Sequence, residues 1–307
     1  MLIHIGFDIS IGCLQETPML LMLSVHPSRE QDVLSSTALR ITSGTLCSNY
    51  IDGFGNRVHR VIGGPGEVQF FYDALVSDSG QPDTVACDAR ETPVGALPDD
   101  ILVYLLGSRY CETDRMSEMA WGLFGNVAPG WNRVQAICDY VHNHLAFGYP
   151  FARATRSAFE GHQERQGVCR DFAHLAITLC RCLNIPARYC TGFLGDIGVP
   201  KDPAPMDFSA WFEVWLDGKW YTFDARHNHP RIGRIVMGYG RDATDVAMIS
   251  TFGQHTLAKF QVWTDEVEAS SVANDSSQQQ SPQSQLFGAT GPQVHANGYG
   301  KPISMMT

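Results

Sequence analysis

The chain has 307 residues, of which 44% are hydrophobic and 18% charged, and its formal net charge is −10 at a sequence pI of about 5.5. This length and hydrophobic content predict one large or two ordinary globular domains with a substantial core. The acidic balance, which no basic patch offsets, argues against a nucleic acid or an anionic membrane as partner.

The N-terminus and the cysteines indicate the compartment. The first residues lack a basic segment followed by a long apolar run, and the apolar run at residues 19–25 is too short to span a bilayer. The nine cysteines show no CxxC or zinc-like pair spacing, which argues against a disulfide framework and a structural zinc site. We therefore expect a reduced, cytoplasmic protein of bacterial type, without a membrane span, a metal or another cofactor.

Residues 1–95 carry strand patterns. Apolar residues alternate from Leu2 to Ile11, residues 68–76 form another apolar run, and residues 50–56 have turn composition. Short strands separated by turns predict a β-sandwich-like N-terminal domain without a catalytic constellation.

Residues 96–268 begin with helical patterns and continue with strands. Asp114 is the predicted cap of a first helix, and helices are also predicted over residues 131–145 and 155–163. Beyond them, residues 269–307 are rich in Ser, Gln and Gly and are predicted to be a disordered tail.

A fourth helix is predicted to open at Cys169. Apolar residues follow at helical spacing, which predicts one buried face, and the helix should end at residues 184–186 (Asn-Ile-Pro). Cys169 then lies in the first turn, where the helix dipole and free N–H groups favour a thiolate with a lowered pKa. This position suits a nucleophile, although a cysteine that merely packs there is the plainer interpretation.

A hairpin follows, with strands over residues 207–216 and 219–224 joined by Asp217-Gly218. Pairing Leu216 with Lys219 places a set of side chains on one face, because residues two apart on a strand share a face. That set is Ser209, Trp211, Asp224 and Arg226. His227 falls on the other face if the strand continues so far.

Three segments resemble, in order and spacing, the motifs of the transglutaminase-like cysteine enzymes. They are residues 167–173 (GVCRDFA), 208–214 (FSAWFEV) and 220–225 (WYTFDA). The resemblance covers about residues 100–268. It implies an α+β fold, in which a papain-like transglutaminase core of helices packed on an antiparallel sheet follows the β-rich domain.

The same resemblance implies a chemistry. Cys169 would attack an amide or peptide carbonyl of a protein or peptide substrate, and Asp224 would orient a histidine base. Water or an amine acceptor would then resolve the thioester. Trp211 and Arg226 become candidate substrate contacts, against the alternatives of sheet core for Trp211 and a structural ion pair for Arg226.

One position departs from the family pattern, because Ser209 stands where the family usually has the catalytic histidine. A serine hydroxyl cannot act as a general base near neutral pH. Three interpretations follow: a base relocated to His227, His229 or His174; a thiolate that relies on the helix terminus and Arg226; or an inactive module that binds peptides or scaffolds a partner. His174 should face away from Cys169, since five residues turn a helix by roughly 140°.

Overall fold

The computed structural model of the protein describes residues 1–267. The predicted disordered tail therefore lies outside the described residues. The strands are β1 (Leu2–Cys13), β2 (Thr17–Leu21), β3 (Val33–Ser36), β4 (Arg40–Thr42), β5 (Gly44–Ile51), β6 (Arg57–Gly63), β7 (Gly66–Ser77), β8 (Ala146–Phe147), β9 (Gln166–Gly167), β10 (Ala187–Phe193), β11 (Ser209–Leu216), β12 (Lys219–Phe223), β13 (Ile235–Gly240), β14 (Ile249–Thr251) and β15 (His255–Val267). The α-helices are α1 (Thr113–Phe124), α2 (Trp131–His144), α3 (Ala158–Glu164) and α4 (Cys169–Cys182).

The N-terminal strands form two antiparallel sheets around one core. One sheet has the order β15-β1-β7-β3, with β4 also paired to β7, and the other has the order β14-β2-β6-β5. The predicted alternation along β1 is confirmed, because its odd-numbered apolar side chains are buried in this core. The residues that β1 contributes to this core include Ile3, Ile5, Phe7, Ile9 and Ile11.

The last strands return to the first ones. β15 pairs with β1 along its whole length, and β14 pairs with β2. The two sheets that contain the N-terminal strands thus also include strands from the second predicted segment, residues 96–268. The division at residue 95 itself stays a prediction.

A third antiparallel sheet, of order β12-β11-β10-β13, carries the helices. α4 packs on β10 and β11 and is surrounded on its other sides by α1, α2 and α3. The expectation of one buried face on α4 is wrong, because all of its residues are buried. Its polar side chains find distant backbone partners: Arg181, for example, donates to the carbonyl oxygens of Ala187 and Leu106.

Helix boundaries follow local signals with one exception. α3 opens with a capping box between Ser157 and Glu160. α4 ends at Cys182, close to the end predicted at residues 184–186, and Asn184 has the left-handed φ of 62° that is common just after a helix. Asp114 does not cap α1; Glu112 holds that position and Asp114 lies in the first turn. None of the four helices, all within residues 1–267, is long and apolar enough to cross a membrane.

The predicted hairpin register is confirmed. Leu216 pairs with Lys219, and Trp215 pairs with Trp220. The connecting Asp217 and Gly218 have φ values of 47° and 78°, the left-handed conformation that a tight two-residue hairpin turn requires. This register brings the end of β12 beside the start of β11, where the candidate site lies.

Candidate active site

Cys169 is the first residue of α4, and the Asp171 side chain packs closely against the backbone of Gly167 just before it. The Asp171 carboxylate accepts hydrogen bonds from the Val168 N–H and from Arg156, each at 2.9 Å. A Cβ atom on Gly167 would lie 2.6 Å from Asp171 Cβ and Oδ2. Only glycine therefore leaves room for this bond, by which the Asp171 side chain caps the start of α4.

The Cys169 side chain lines a cavity of about 260 Å³. The polar side chains on its wall include Ser209, Asp207, Arg226 and His227. The lowered pKa expected for Cys169 is wrong, because burial raises the pKa of this thiol to about 11 despite the opposing effects of Arg226 and the Ala210 N–H. The resting group is thus a neutral thiol, which needs a base to become a nucleophile.

Asp224 and His227 form a hydrogen-bonded pair just after the end of β12. Nδ1 of His227 lies 2.8 Å from Oδ2 of Asp224, and the same Oδ2 accepts a bond of 2.9 Å from Arg234. Burial on its own would raise the pKa of Asp224, but Arg234 and the bonds from His227 outweigh it and hold that pKa well below its usual range. Asp224 is therefore a carboxylate, and His227 Nδ1 must be the donor.

The predicted placement of His227 on the opposite face required the strand to continue that far, and it does not, because β12 ends at Phe223 and the chain turns there. Oδ1 of Asp224 accepts the N–H groups of Arg226 and His227 at 3.0 and 3.1 Å, and its carbonyl oxygen accepts the N–H of Asn228. This turn directs His227 to the wall of the Cys169 cavity.

His227 is in the protonation state of a base. Burial lowers its pKa from the ordinary value of 6.5, although the Asp224 carboxylate opposes this effect. With Nδ1–H bonded to Asp224, Nε2 carries the free lone pair. That atom has no hydrogen-bond partner within residues 1–267.

The other predicted site residues divide between two cavities. The Ser209 hydroxyl is buried in the Cys169 cavity and lacks a hydrogen-bond partner in the described chain. Arg226 stacks 3.8 Å above the centre of the Phe147 ring, and within residues 1–267 its guanidinium forms no ion pair. Trp211 lies in the wall of a second cavity, of about 440 Å³, with the Arg234 guanidinium over its ring.

Of the alternative histidines, His174 does not line the Cys169 cavity. It is buried, accepts the Ala243 N–H at Nε2 and stacks on Tyr110, and burial lowers its pKa. His229 is exposed, and its Nδ1–H donates a hydrogen bond of 2.8 Å to the His227 carbonyl oxygen. It lines the Cys169 cavity without bonding to Asp224.

Sequence reasoning missed two site residues. Asp207 was expected merely to start a strand, yet it lines the Cys169 cavity. Arg234 comes from the loop before β13, and besides Asp224 it binds Asp83 at 2.9 Å. No local pattern marks Arg234, since both of its partners are brought to it by the fold. Within the described residues, no cluster of three or more His, Cys, Asp or Glu could hold a metal ion.

Comparisons with known proteins agree with this geometry. Residues 119–225 match the core of the transglutaminase-like superfamily. The crystal structure of a candidate cysteine protease from Cytophaga hutchinsonii is similar, with a TM-score of 0.74 and 30% identity, over 88% of this chain and 91% of that one.

Uncharacterised mycobacterial proteins are similar over a shorter stretch. One from Mycobacterium leprae is 34% identical over 98 residues, which are 30% of this chain and 33% of that protein. One from Mycobacterium tuberculosis is 34% identical over 91 residues, 27% of this chain and 29% of that protein. The aligned stretch thus spans about a third of the length of these relatives.

Proposed function

This chain belongs to the transglutaminase-like superfamily, and from that membership we propose that it is a cysteine enzyme acting on amide or peptide bonds. Cys169 forms a thioester with the acyl group of a protein or peptide, and water or an amine resolves it. The observation that carries the proposal is the hydrogen bond of 2.8 Å between His227 Nδ1 and Asp224 Oδ2 beside the Cys169 cavity.

In this proposal His227 is the base that Ser209 cannot be. Its Nε2 takes the proton of the Cys169 thiol while sulfur attacks the carbonyl carbon, and the Asp224 carboxylate stabilises the imidazolium that results. Asp224 is itself fixed by Arg234 and by two backbone N–H groups. The Asp224 carboxylate therefore stays ionised and oriented throughout the proposed reaction.

Ser209 takes a different role. Ser209 lines the same cavity as Cys169, and its buried hydroxyl has no hydrogen-bond partner within the described chain, so we propose that it donates to a bound carbonyl oxygen. The Ala210 N–H, which favours the thiolate of Cys169, lies next to it in sequence. These two donors would stabilise the negative charge that develops on the substrate oxygen.

Arg226 would contact the substrate. Its charged group is held over Phe147 and forms no ion pair among the described residues, which leaves its N–H groups available to a carboxylate. We infer that the acyl substrate carries an acidic group near the scissile bond. A cytoplasmic protein or peptide is the substrate class we propose.

A second candidate function is an inactive module that binds peptides. It is favoured by the raised pKa of Cys169 and by the serine at position 209. In this alternative the cavity would hold a peptide without forming a thioester.

The experiment that separates the two is acyl trapping. The protein is incubated with a p-nitrophenyl ester of an acidic acyl group, and the acylated residue is identified by mass spectrometry. We expect acylation at Cys169 that is lost in Cys169→Ala and retained in the matched variant Cys47→Ala, since Cys47 is an exposed thiol away from the cavity. Acylation of Cys47 alone, with Cys169 unmodified, would support the inactive module.

A further inference from the structure

Asp207 has an unusual environment for a carboxyl group. It lies just before β11 and lines the cavity that contains Cys169 and His227. Its Oδ1 accepts the Phe208 N–H at 2.7 Å, whereas Oδ2 has no hydrogen-bond partner within residues 1–267. In the same part of the chain, Asp207 forms no ion pair.

The other two aspartates on the cavity wall differ from Asp207. Asp196 accepts the Asp202 N–H and lies 3.7 Å from Arg231. Asp202 is exposed, and its Oδ1 accepts the Ala204 N–H. Asp207 thus combines a desolvated position with an oxygen that is free to exchange a proton with a ligand.

Asp207 and Asp224 are also held in opposite protonation states. Burial raises the pKa of Asp207 to about 8 despite the Phe208 N–H and the Arg226 charge, so this carboxyl is largely protonated at neutral pH. Asp224 remains a carboxylate because of Arg234 and His227. Two carboxyl groups whose environments separate their pKa values in one site typically divide the acid and acceptor roles.

We propose that Asp207 is a further catalytic residue, whose carboxyl group exchanges a proton with the amine side of the amide bond. This inference rests on the proposed thioester chemistry of Cys169. In this proposal, His227 exchanges a proton with the sulfur atom of Cys169, and Asp207 exchanges a proton with the nitrogen atom of the amide bond.

The proton transfers balance in both half-reactions. In acylation, the C–S bond forms and the C–N bond breaks; the thiol proton goes to His227 and the Asp207 proton goes to the departing nitrogen. In acyl transfer, a neutral amine forms the new C–N bond while the C–S bond breaks. The amine proton returns to Asp207, and the His227 proton returns to sulfur. Asp207 thereby selects amines as leaving and entering groups.

A leaving-group comparison tests this role. The wild type, Asp207→Asn and the control variant Asp88→Asn, whose side chain is exposed and does not line the cavity, are assayed with one acyl group carried as an anilide and as a p-nitrophenyl ester, whose leaving group needs no proton. We expect Asp207→Asn to lower kcat/KM for the anilide by about 100-fold or more, the usual effect of general acid–base catalysis, and for the ester by less than about threefold. Asp88→Asn should leave both rates within about threefold.

The outcomes are distinguishable. Equal losses on ester and anilide in folded Asp207→Asn, or no loss on either, overturn the role of Asp207. Failure of the wild type to acylate Cys169 with the ester overturns the proposed function instead. Should Asp207→Asn not fold, a series of wild-type anilides of one acyl group decides: a rate that varies little with leaving-group basicity supports proton donation, and a steep dependence overturns it.

Discussion

His227 Nδ1 lies 2.8 Å from Asp224 Oδ2, and the two residues are only three positions apart in the chain. One turn at the end of β12 therefore supplies both the imidazole and the carboxylate that orients it. Residue 209, where the resemblance to the family places a histidine, is a serine that lines the cavity and whose hydroxyl is buried. In the proposed mechanism, the imidazole that serves as the base therefore comes from this turn and not from the strand.

Replacing His227 with alanine should abolish most amide turnover. We expect kcat to fall by about 100-fold or more, because the neutral thiol of Cys169 then has no base. His229→Ala is the matched control, since His229 lies two residues away on the same cavity wall and should change kcat by less than about threefold. Steady-state kinetics measures both. Equal effects of the two substitutions would contradict the assignment of the base.

The acidic limb of the pH profile should reflect His227. The base must be neutral, and burial lowers its pKa from 6.5. Ester acylation should therefore lose rate only as the pH falls through a midpoint below 6.5. The measurement is kcat/KM against pH, with His229→Ala as a control that keeps this limb. A midpoint above 6.5 would argue against a buried His227 as the base.

Arg234 should be important for stability. Its buried guanidinium binds Asp224 and Asp83, so Arg234→Gln leaves two carboxylates without their cation and should lower the free energy of unfolding by about 3–5 kcal/mol. The control is Lys259→Met, which removes an exposed lysine from its pair with the partly buried Asp8 and should cost about 1 kcal/mol or less. Urea unfolding measures both values, and comparable losses would refute the prediction.

Gly167→Ala should disturb the start of α4. The new Cβ would meet Asp171 at 2.6 Å, and we expect a loss of about 1–3 kcal/mol in the free energy of unfolding together with slower acylation of Cys169. Gly122→Ala in α1 has open space around its Cβ and should be neutral or stabilise by up to about 1 kcal/mol. Thermal unfolding and acyl trapping provide the readouts. A Gly167→Ala protein as stable and reactive as the wild type would disprove the steric reason given.

Removing the Arg226 charge should make Cys169 less reactive. Arg226 lowers the pKa of this thiol, so Arg226→Gln raises it further and reduces the thiolate fraction by up to about tenfold, the equivalent of one pKa unit. Iodoacetamide labelling at pH 9, read out by peptide mass spectrometry, measures the rate at Cys169. The exposed Cys87 serves as the internal control. Unchanged labelling of Cys169 would show that Arg226 does not act on the sulfur.

Much of the site could be predicted because its signals are local or follow from one register. The Asp217-Gly218 turn fixes the pairing of β11 with β12, which places Ser209 and Asp224 at the same end of the hairpin. The position of His227 could not be predicted in this way, because the alternation of faces along a strand no longer applies after the strand ends at Phe223. A local signal was present, since an aspartate side chain commonly accepts backbone N–H groups two and three residues later and so turns the chain.

Other features depend on contacts that no local pattern carries. The complete burial of α4 requires partners for Arg181 from residues 106, 187 and 241, which the fold assembles from distant segments. The raised pKa of Cys169 has the same origin, because helix-end electrostatics can be read from position whereas desolvation depends on everything packed around the thiol.

The pairing of β1 with β15 has a consequence for synthesis. Leu2 is the register partner of Val267, so the outer strand of the first sheet leaves the ribosome only after every residue of the candidate site has done so. The helices and the Ser209–Phe223 hairpin depend on nearer contacts and can assemble earlier. The nascent chain therefore exposes one edge of β1 throughout most of translation, and β15 covers it last.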